Sequence, residues 1–192
     1  ADEPELAEAL GEIPVAVLEK GKVCGAHNVS GANMRPSAMR ELFPDLDESE
    51  WPVYQKVEKD AVYLLTKRHA IPLKPPPPNF RNHGNYITSV SKLSRWLAEK
   101  AEEAGAYILT ETVADKLIVE DRIVRGVRSG DKGRGRDGEE LSNFEPGSDL
   151  IAKATVLAEG TIGHLTQCAV QYFGIEGDPP RWEIGVKEIW EV

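Results

Sequence analysis

The chain has 192 residues, enough to bury roughly 70% of its unfolded surface around one substantial core or two modest lobes, and 41% apolar with 29% charged residues describe a folded rather than a disordered protein. Its formal charge of −9 repels phosphate polyanions, and no aromatic-studded basic stripe offsets it, so nucleic acid is excluded as a partner. Cys24 and Cys168 make no C-x-x-C pair, which removes a zinc or iron–sulfur site from the chain and leaves two reduced thiols.

The acidic start "ADEPELAEAL" lacks the basic and apolar regions of a signal peptide, and no apolar run approaches the ~20 residues that span a bilayer. Leu6, Ala9 and Leu10 share a helical face, and "IPVAVLE" follows as a buried parallel strand ending at Glu19 and bounded by Gly11 and Gly21. "PSAMRELF" predicts a short helix with proline in its first turn and Met39, Leu42 and Phe43 as its apolar stripe. The acidic "PDLDESEWP" reads as a turn and "AVYLLT", Ala61 to Thr66, as a strand.

Four consecutive prolines, Pro75 to Pro78, cannot donate backbone hydrogen bonds, so "IPLKPPPPNFRNHGNYIT" is an excursion at a surface or between lobes before "NYITSV" becomes extended again. The clearest helix spans about Ser91 to Ala104: Leu93, Trp96, Leu97, Ala101 and Ala104 recur at helical spacing and Gly105 ends it. "AYILTETVADKLIVEDRIVRGVRSG" reads as strands with a hairpin turn at Glu120–Arg122. Residues 131–148 are polar and glycine-rich, the composition of a mobile loop. A buried strand over Ala154 to Ala158, a helix over "GHLTQCAVQYFG" and an alternating strand over "RWEIGVKEIWEV" complete the reading.

Strands buried on both faces and followed by glycine turns suit an α/β sheet whose ligand sits at the strands' carboxyl ends. "VLEKG" and "VLAEG" both fit. In a dinucleotide-binding fold Glu19 would accept hydrogen bonds from ribose hydroxyls, and small residues at Ala158–Gly160 would let a cofactor approach the backbone; equally, Glu19 is a strand-end carboxylate in water and Gly160 a turn glycine. The literal G-x-G-x-x-G at Gly133–Gly138 is a decoy, since no strand delivers its first glycine and no apolar helix follows it.

Six stretches, "VLEKG" (17–21), "GAHNVSGA" (25–32), "ELFPD" (41–45), "NHGNYI" (82–87), "LAEGTIGHL" (157–165) and "GVKEIW" (185–190), occur in an order and spacing that resembles the electron-transfer flavoprotein–ubiquinone oxidoreductases. The resemblance implies a partial FAD/NAD(P)-binding Rossmann-like α/β domain of the aromatic-hydroxylase-like flavoprotein group, with an inserted β-rich segment. It implies FAD-domain residues at 1–34 and 89–178, and part of a quinone-binding lobe at 35–88 and 179–192. It implies electron transfer from reduced electron-transfer flavoprotein through a 4Fe-4S cluster outside this chain, and through FAD, to ubiquinone. The location implied is peripheral, at the cytoplasmic face of a bacterial inner membrane or at the mitochondrial inner membrane.

By the same resemblance a strand and glycine turn precede Ala1 and the cluster cysteines follow Val192, so the chain is expected to be an internal fragment or a clipped chain that alone binds FAD weakly or not at all. Carried over by position, Glu19 would hold the adenosine ribose with Lys20 beside it. Gly25, Ala26, His27, Ser30 and Gly31 would pass the flavin ring, Val113 would run along adenine, and Ala158, Glu159 and Gly160 would abut the pyrophosphate or ribose. The family's usual threonine between histidine and serine is absent from His27-Asn28-Val29-Ser30, and Thr161 and Ile162 intervene where a cysteine–histidine pair is common. His27 either tunes the flavin's charge or anchors its loop. No side chain is needed as an acid or base, because electrons move through the cofactor. His83 and the proline-stiffened segment would lie near the quinone lobe, either dipping into a membrane interface or forming a plain surface crossover. Two other readings stay open: a soluble FAD monooxygenase or geranylgeranyl-type reductase, and a cofactor-free interaction domain.

Overall fold

The computed structural model describes residues 15–29 and 31–178, and they form two compact units. The first holds residues 15–23 and 104–178, the second residues 24–103.

In the first unit β1 (Ala16–Leu18) runs parallel to β7 (Tyr107–Leu109), in the register Ala16 to Tyr107 and Leu18 to Leu109. The strand is parallel, as its sequence implies, but not buried: Val17 is 39% exposed, because β7 is its sole neighbour among the described residues. Next to this pair stands an antiparallel sheet in the order β12–β9–β8, from β8 (Ala114–Glu120), β9 (Ile123–Ser129) and β12 (Asp149–Ile151). Asp121 and Arg122, both with positive φ, make the two-residue turn of the β8–β9 hairpin where the charged turn is expected. Helix α3 (His164–Phe173) buries Leu165 and Ala169, one turn apart, and ends on left-handed Gly174.

Two further expectations fail in this unit. Residues 131–148 are not a loop: β10 (Lys132–Arg134) and β11 (Glu140–Glu145) pair as a hairpin, with the decoy glycine run forming its turn. Residues 154–158 are not a buried strand: they join no ladder among the described residues, and Val156 is 86% exposed. An apolar run supplies the side chains of a strand, but only a neighbouring backbone makes it one.

The second unit is organised by the helix that the sequence shows most clearly. Helix α2 (Val90–Glu103) starts after Ser89, whose hydroxyl accepts from the Lys92 N–H at 3.4 Å, and Gly105 follows it with φ of 93°. Its stripe of Leu93, Trp96 and Leu97 packs on a core of Met39, Trp51 and Tyr86. Met39 comes from the short helix α1 (Ser37–Leu42), and Tyr86 from β6 (Tyr86–Thr88), the central strand between β2 (Ala32–Met34) and β3 (Val53–Lys56). Edge-on ring pairs, Phe43 with Trp96 at 5.0 Å and Trp51 with Tyr86 at 5.7 Å, fill the gaps. The Tyr86 hydroxyl donates a very short hydrogen bond to Glu48, which Arg40 also clamps at 2.6 Å. A separate hairpin pairs β4 (Val62–Leu65) with β5 (Ala70–Leu73).

The expected helix before Gly11, the expected strand near Trp190, and Ser30 lie outside the described residues.

Candidate functional site

Parallel pairing brings two segments together at the carboxyl ends of β1 and β7. The Glu19 N–H donates to the Leu109 carbonyl (2.9 Å), the Thr112 N–H to the Glu19 carbonyl (3.0 Å), and the Glu111 N–H to the Gly21 carbonyl (2.9 Å). Glu19 therefore sits beside Thr112 and Val113, the place where ligands settle in open α/β sheets. Its side chain is half-buried, and Oε1 accepts from the Gly21 N–H at 2.5 Å. Oε2 accepts no hydrogen bond among the described residues, which leaves an acceptor for a hydroxyl. Lys20 is exposed next to it. The Val113 carbonyl is taken by the Gly130 N–H (2.8 Å), fixing this turn against the end of β9.

Ala158, Glu159 and Gly160 belong to the same unit and are exposed. The carboxylate of Glu159 caps α3: it accepts from the Leu165 N–H (3.0 Å), the Thr166 N–H (2.7 Å) and the Thr166 hydroxyl (2.8 Å). Burial alone would raise its pKa, but these hydrogen bonds outweigh burial and hold the carboxyl below its ordinary value. The side chain is thus committed to the helix. What the turn leaves bare is Gly160, with φ of 78° and open space where a Cβ would stand, so a ligand can reach the backbone there. This cap is a residue role that motif reading missed; the i to i+6 and i+7 spacing onto a helix start is its only sequence signal.

Gly25, Ala26 and His27 lie in the second unit, and the loop they form is built onto α2. Gly25 is buried with φ of 80°, and a Cβ there would stand 2.6 Å from the Ser91 carbonyl oxygen. Three residues on, Asn28 Oδ1 accepts from the Ser94 hydroxyl at 2.9 Å. Ala26 and His27 between these anchors are exposed, and Gly31 beyond them has φ of 97° with nothing near it.

The "NHGNY" stretch has a local explanation. Asp60 accepts from the Asn82 N–H (2.8 Å) and its side-chain amide (3.2 Å), while the His83 ring Nδ1 donates to the Glu58 carbonyl (2.7 Å). Backbone bonds from Val57 to Asn85 and from Gly84 to Val57 close the clamp. The clamp fixes the base of the β4–β5 hairpin, whose faces are both apolar. Val62, Leu64, Ile71 and Leu73 occupy one; Tyr63, Leu65, Ala70 and Pro72 the other. Leu65 is 74% exposed and Leu64 57%. A ribbon in water alternates apolar with polar residues, whereas strands covered on both sides read as continuous apolar runs.

Among the described residues no three His, Cys, Asp or Glu side chains gather as a metal site, and no helix is long and apolar enough to cross a membrane. Cys24 and Cys168 form no disulfide.

Comparison with known proteins points to an FAD binding domain. The chain is 39% identical over 189 residues to the probable electron transfer flavoprotein-ubiquinone oxidoreductase of Acinetobacter baylyi, covering 95% of this chain and 33% of that protein. It is 40% identical to the electron transfer flavoprotein-ubiquinone oxidoreductase of Pseudomonas aeruginosa, covering 97% of this chain and 35% of that one. The mitochondrial electron transfer flavoprotein-ubiquinone oxidoreductase of Caenorhabditis elegans is 38% identical, covering 98% of this chain and 32% of that one. The chain thus spans about a third of the length of the relatives it matches. Residues 72–178, more than half of the chain, match the FAD binding domain family, and the mixed, mostly β architecture is a partial FAD-binding α/β fold. By that match the chain belongs to the FAD binding domain family.

Proposed function

We propose that this chain is part of an FAD-dependent oxidoreductase that passes electrons from reduced electron-transfer flavoprotein to ubiquinone. The names of its relatives support the reaction. The observation that carries the cofactor reading is the half-buried Glu19 carboxylate at the carboxyl end of a parallel strand, whose Oε2 accepts no hydrogen bond among the described residues. An acceptor-only oxygen suits ribose hydroxyls, and the bare left-handed backbone at Gly160 suits a close-approaching phosphate or sugar. The residues present therefore fit the adenosine half of FAD.

Bound FAD supplies the electron-carrying chemistry. The chain's own residues would bind and orient it: Glu19 would hold the ribose with Lys20 at its edge, Val113 would run along the base, and the backbone of Ala158–Gly160 would abut the pyrophosphate, on a turn that Glu159 steadies through α3. Gly25, Ala26, His27, Ser30 and Gly31 form the flavin-side loop, and its seating on Ser91 and Ser94 favours an anchoring role for the polar side chains around His27. The FAD portion draws on residues 1–34 and 89–178 and the quinone lobe on 35–88 and 179–192. A 4Fe-4S cluster comes from sequence outside this chain. The whole protein sits peripherally on a bacterial or mitochondrial inner membrane, where the two-sided apolar β4–β5 hairpin contacts the bilayer.

The test is Glu19→Ala in the full-length protein. Losing a hydrogen bond between a charged group and a hydroxyl weakens FAD retention by roughly tenfold or more, read as flavin released on dilution, and ubiquinone reduction by reduced electron-transfer flavoprotein falls with it. Unchanged flavin retention would overturn the assignment. A full-length protein with bound FAD but no iron would turn the reading toward a monooxygenase or reductase of the same architecture.

A further inference from the structure

We propose that the β4–β5 hairpin docks on an anionic lipid surface, with Lys67 and Arg68 in its turn recognising headgroup charge. This rests on the membrane contact proposed above and adds which membrane the hairpin selects.

The chain carries 32 acidic against 23 basic residues, yet residues 61–81 contain Lys67, Arg68, Lys74 and Arg81 and no Asp or Glu. The charge of this excursion is opposite in sign to that of the whole chain. Its cations stand at both ends of the apolar ribbon: Lys67 and Arg68 between β4 and β5, Lys74 directly after β5. Thr66 fixes the turn, its hydroxyl accepting from the His69 N–H (2.9 Å) and the Arg68 N–H (3.4 Å) and donating to the His69 carbonyl (3.1 Å). Lys67, Arg68 and Lys74 are exposed and form no ion pair among the described residues; Asp60, which lines the same cleft as Lys74 at the hairpin's base, accepts from Asn82.

That arrangement selects an orientation. Insertion by the tip would carry Lys67 and Arg68 into hydrocarbon unpaired. A ribbon lying in the interface instead sinks Leu64, Leu65 and Ile71 to the acyl boundary and leaves the cations at headgroup level, where long basic side chains settle. Four-residue strands span only ~13 Å, a length that suits lying in the interface and not piercing the bilayer. A second copy is the poorer occupant, because two hairpins face to face would oppose cation to cation.

Vesicle flotation of the full-length protein tests this, with phosphatidylcholine alone against phosphatidylcholine mixed with phosphatidylglycerol, at low and high salt. We expect at least about tenfold stronger binding to the anionic vesicles at low salt, lost when screening shortens the Debye length to a few ångströms. The double variant Lys67→Glu/Arg68→Glu should lose the preference and still bind neutral vesicles. Leu64→Asp/Leu65→Asp should bind neither, with retained flavin absorbance reporting that both variants fold. Equal binding to the two lipids would overturn this inference and leave the membrane reading standing. Binding to neither lipid would overturn both, as would self-association that Leu64→Asp/Leu65→Asp disperses.

Discussion

At the scale of single residues, two carboxylates in one unit do different work, and hydrogen bonding decides which. Glu19 gives one oxygen to its own turn and keeps the other open. Glu159 spends its side chain on the first turn of α3, where N–H groups have no helical partner. Its folded-state pKa is depressed, so its stabilisation is fully present above the ordinary glutamate range and is lost as pH falls through the lowered value. Glu159→Ala is therefore expected to cost about 1 kcal/mol at neutral pH, the usual worth of a helix cap. Glu159→Gln, which keeps one acceptor, costs less. Urea titrations at neutral and at acidic pH check this: the gap between wild type and Glu159→Ala narrows in acid, and a gap independent of pH would show that the charge contributes nothing.

Elements differ in how far the sequence alone could specify them. Helix α2 is legible because its apolar period and its following glycine are both local. The hairpin turn at Asp121–Arg122 was legible for the same reason. The β10–β11 hairpin was not, since neither strand alternates apolar with polar residues; polar bonds hold it. Asp131 accepts from the Gly147 N–H (2.9 Å) and pairs with Arg134 (2.6 Å), and the Arg134 guanidinium lies 4.7 Å from the centre of the Phe144 ring. The Gly147 bond first, and Arg134 second, hold the Asp131 carboxyl below its usual range. Asp131→Ala should loosen this hairpin alone. Amide exchange over 132–145 should quicken by several-fold while β8 and β9 keep their protection; unchanged exchange would assign the hairpin's order to its backbone ladder. The loop at 24–29 was recognised by motif, but its seating on Ser91 and Ser94 depends on a contact some 66 residues away in sequence, which no local pattern carries.

For the whole molecule, the instructive element is the strand that did not form. Residues 154–158 have the composition of a buried parallel strand, yet Val156 is 86% exposed and the hydroxyl of Thr155 is buried without a partner among the described residues. On the other pair, Val15 and Val17 of the β1 segment are also exposed. Apolar β-branched side chains left in water on two segments of one unit are what a parallel sheet shows when a neighbouring strand is not among the residues described. The candidate site depends on the same strand ends, so completing the sheet would also fix the spacing between Glu19 and Gly160. The chain spans about a third of the length of the relatives it matches. Hydrogen exchange separates the possibilities. Amides 154–158 should exchange at nearly the rate of an open chain in the 192-residue protein, and at least about a hundredfold more slowly in the full-length protein, as core strands do. Fast exchange in both would mean that the segment is a true loop, and that the pyrophosphate wall assigned to Ala158–Gly160 lacks the rigid strand it needs.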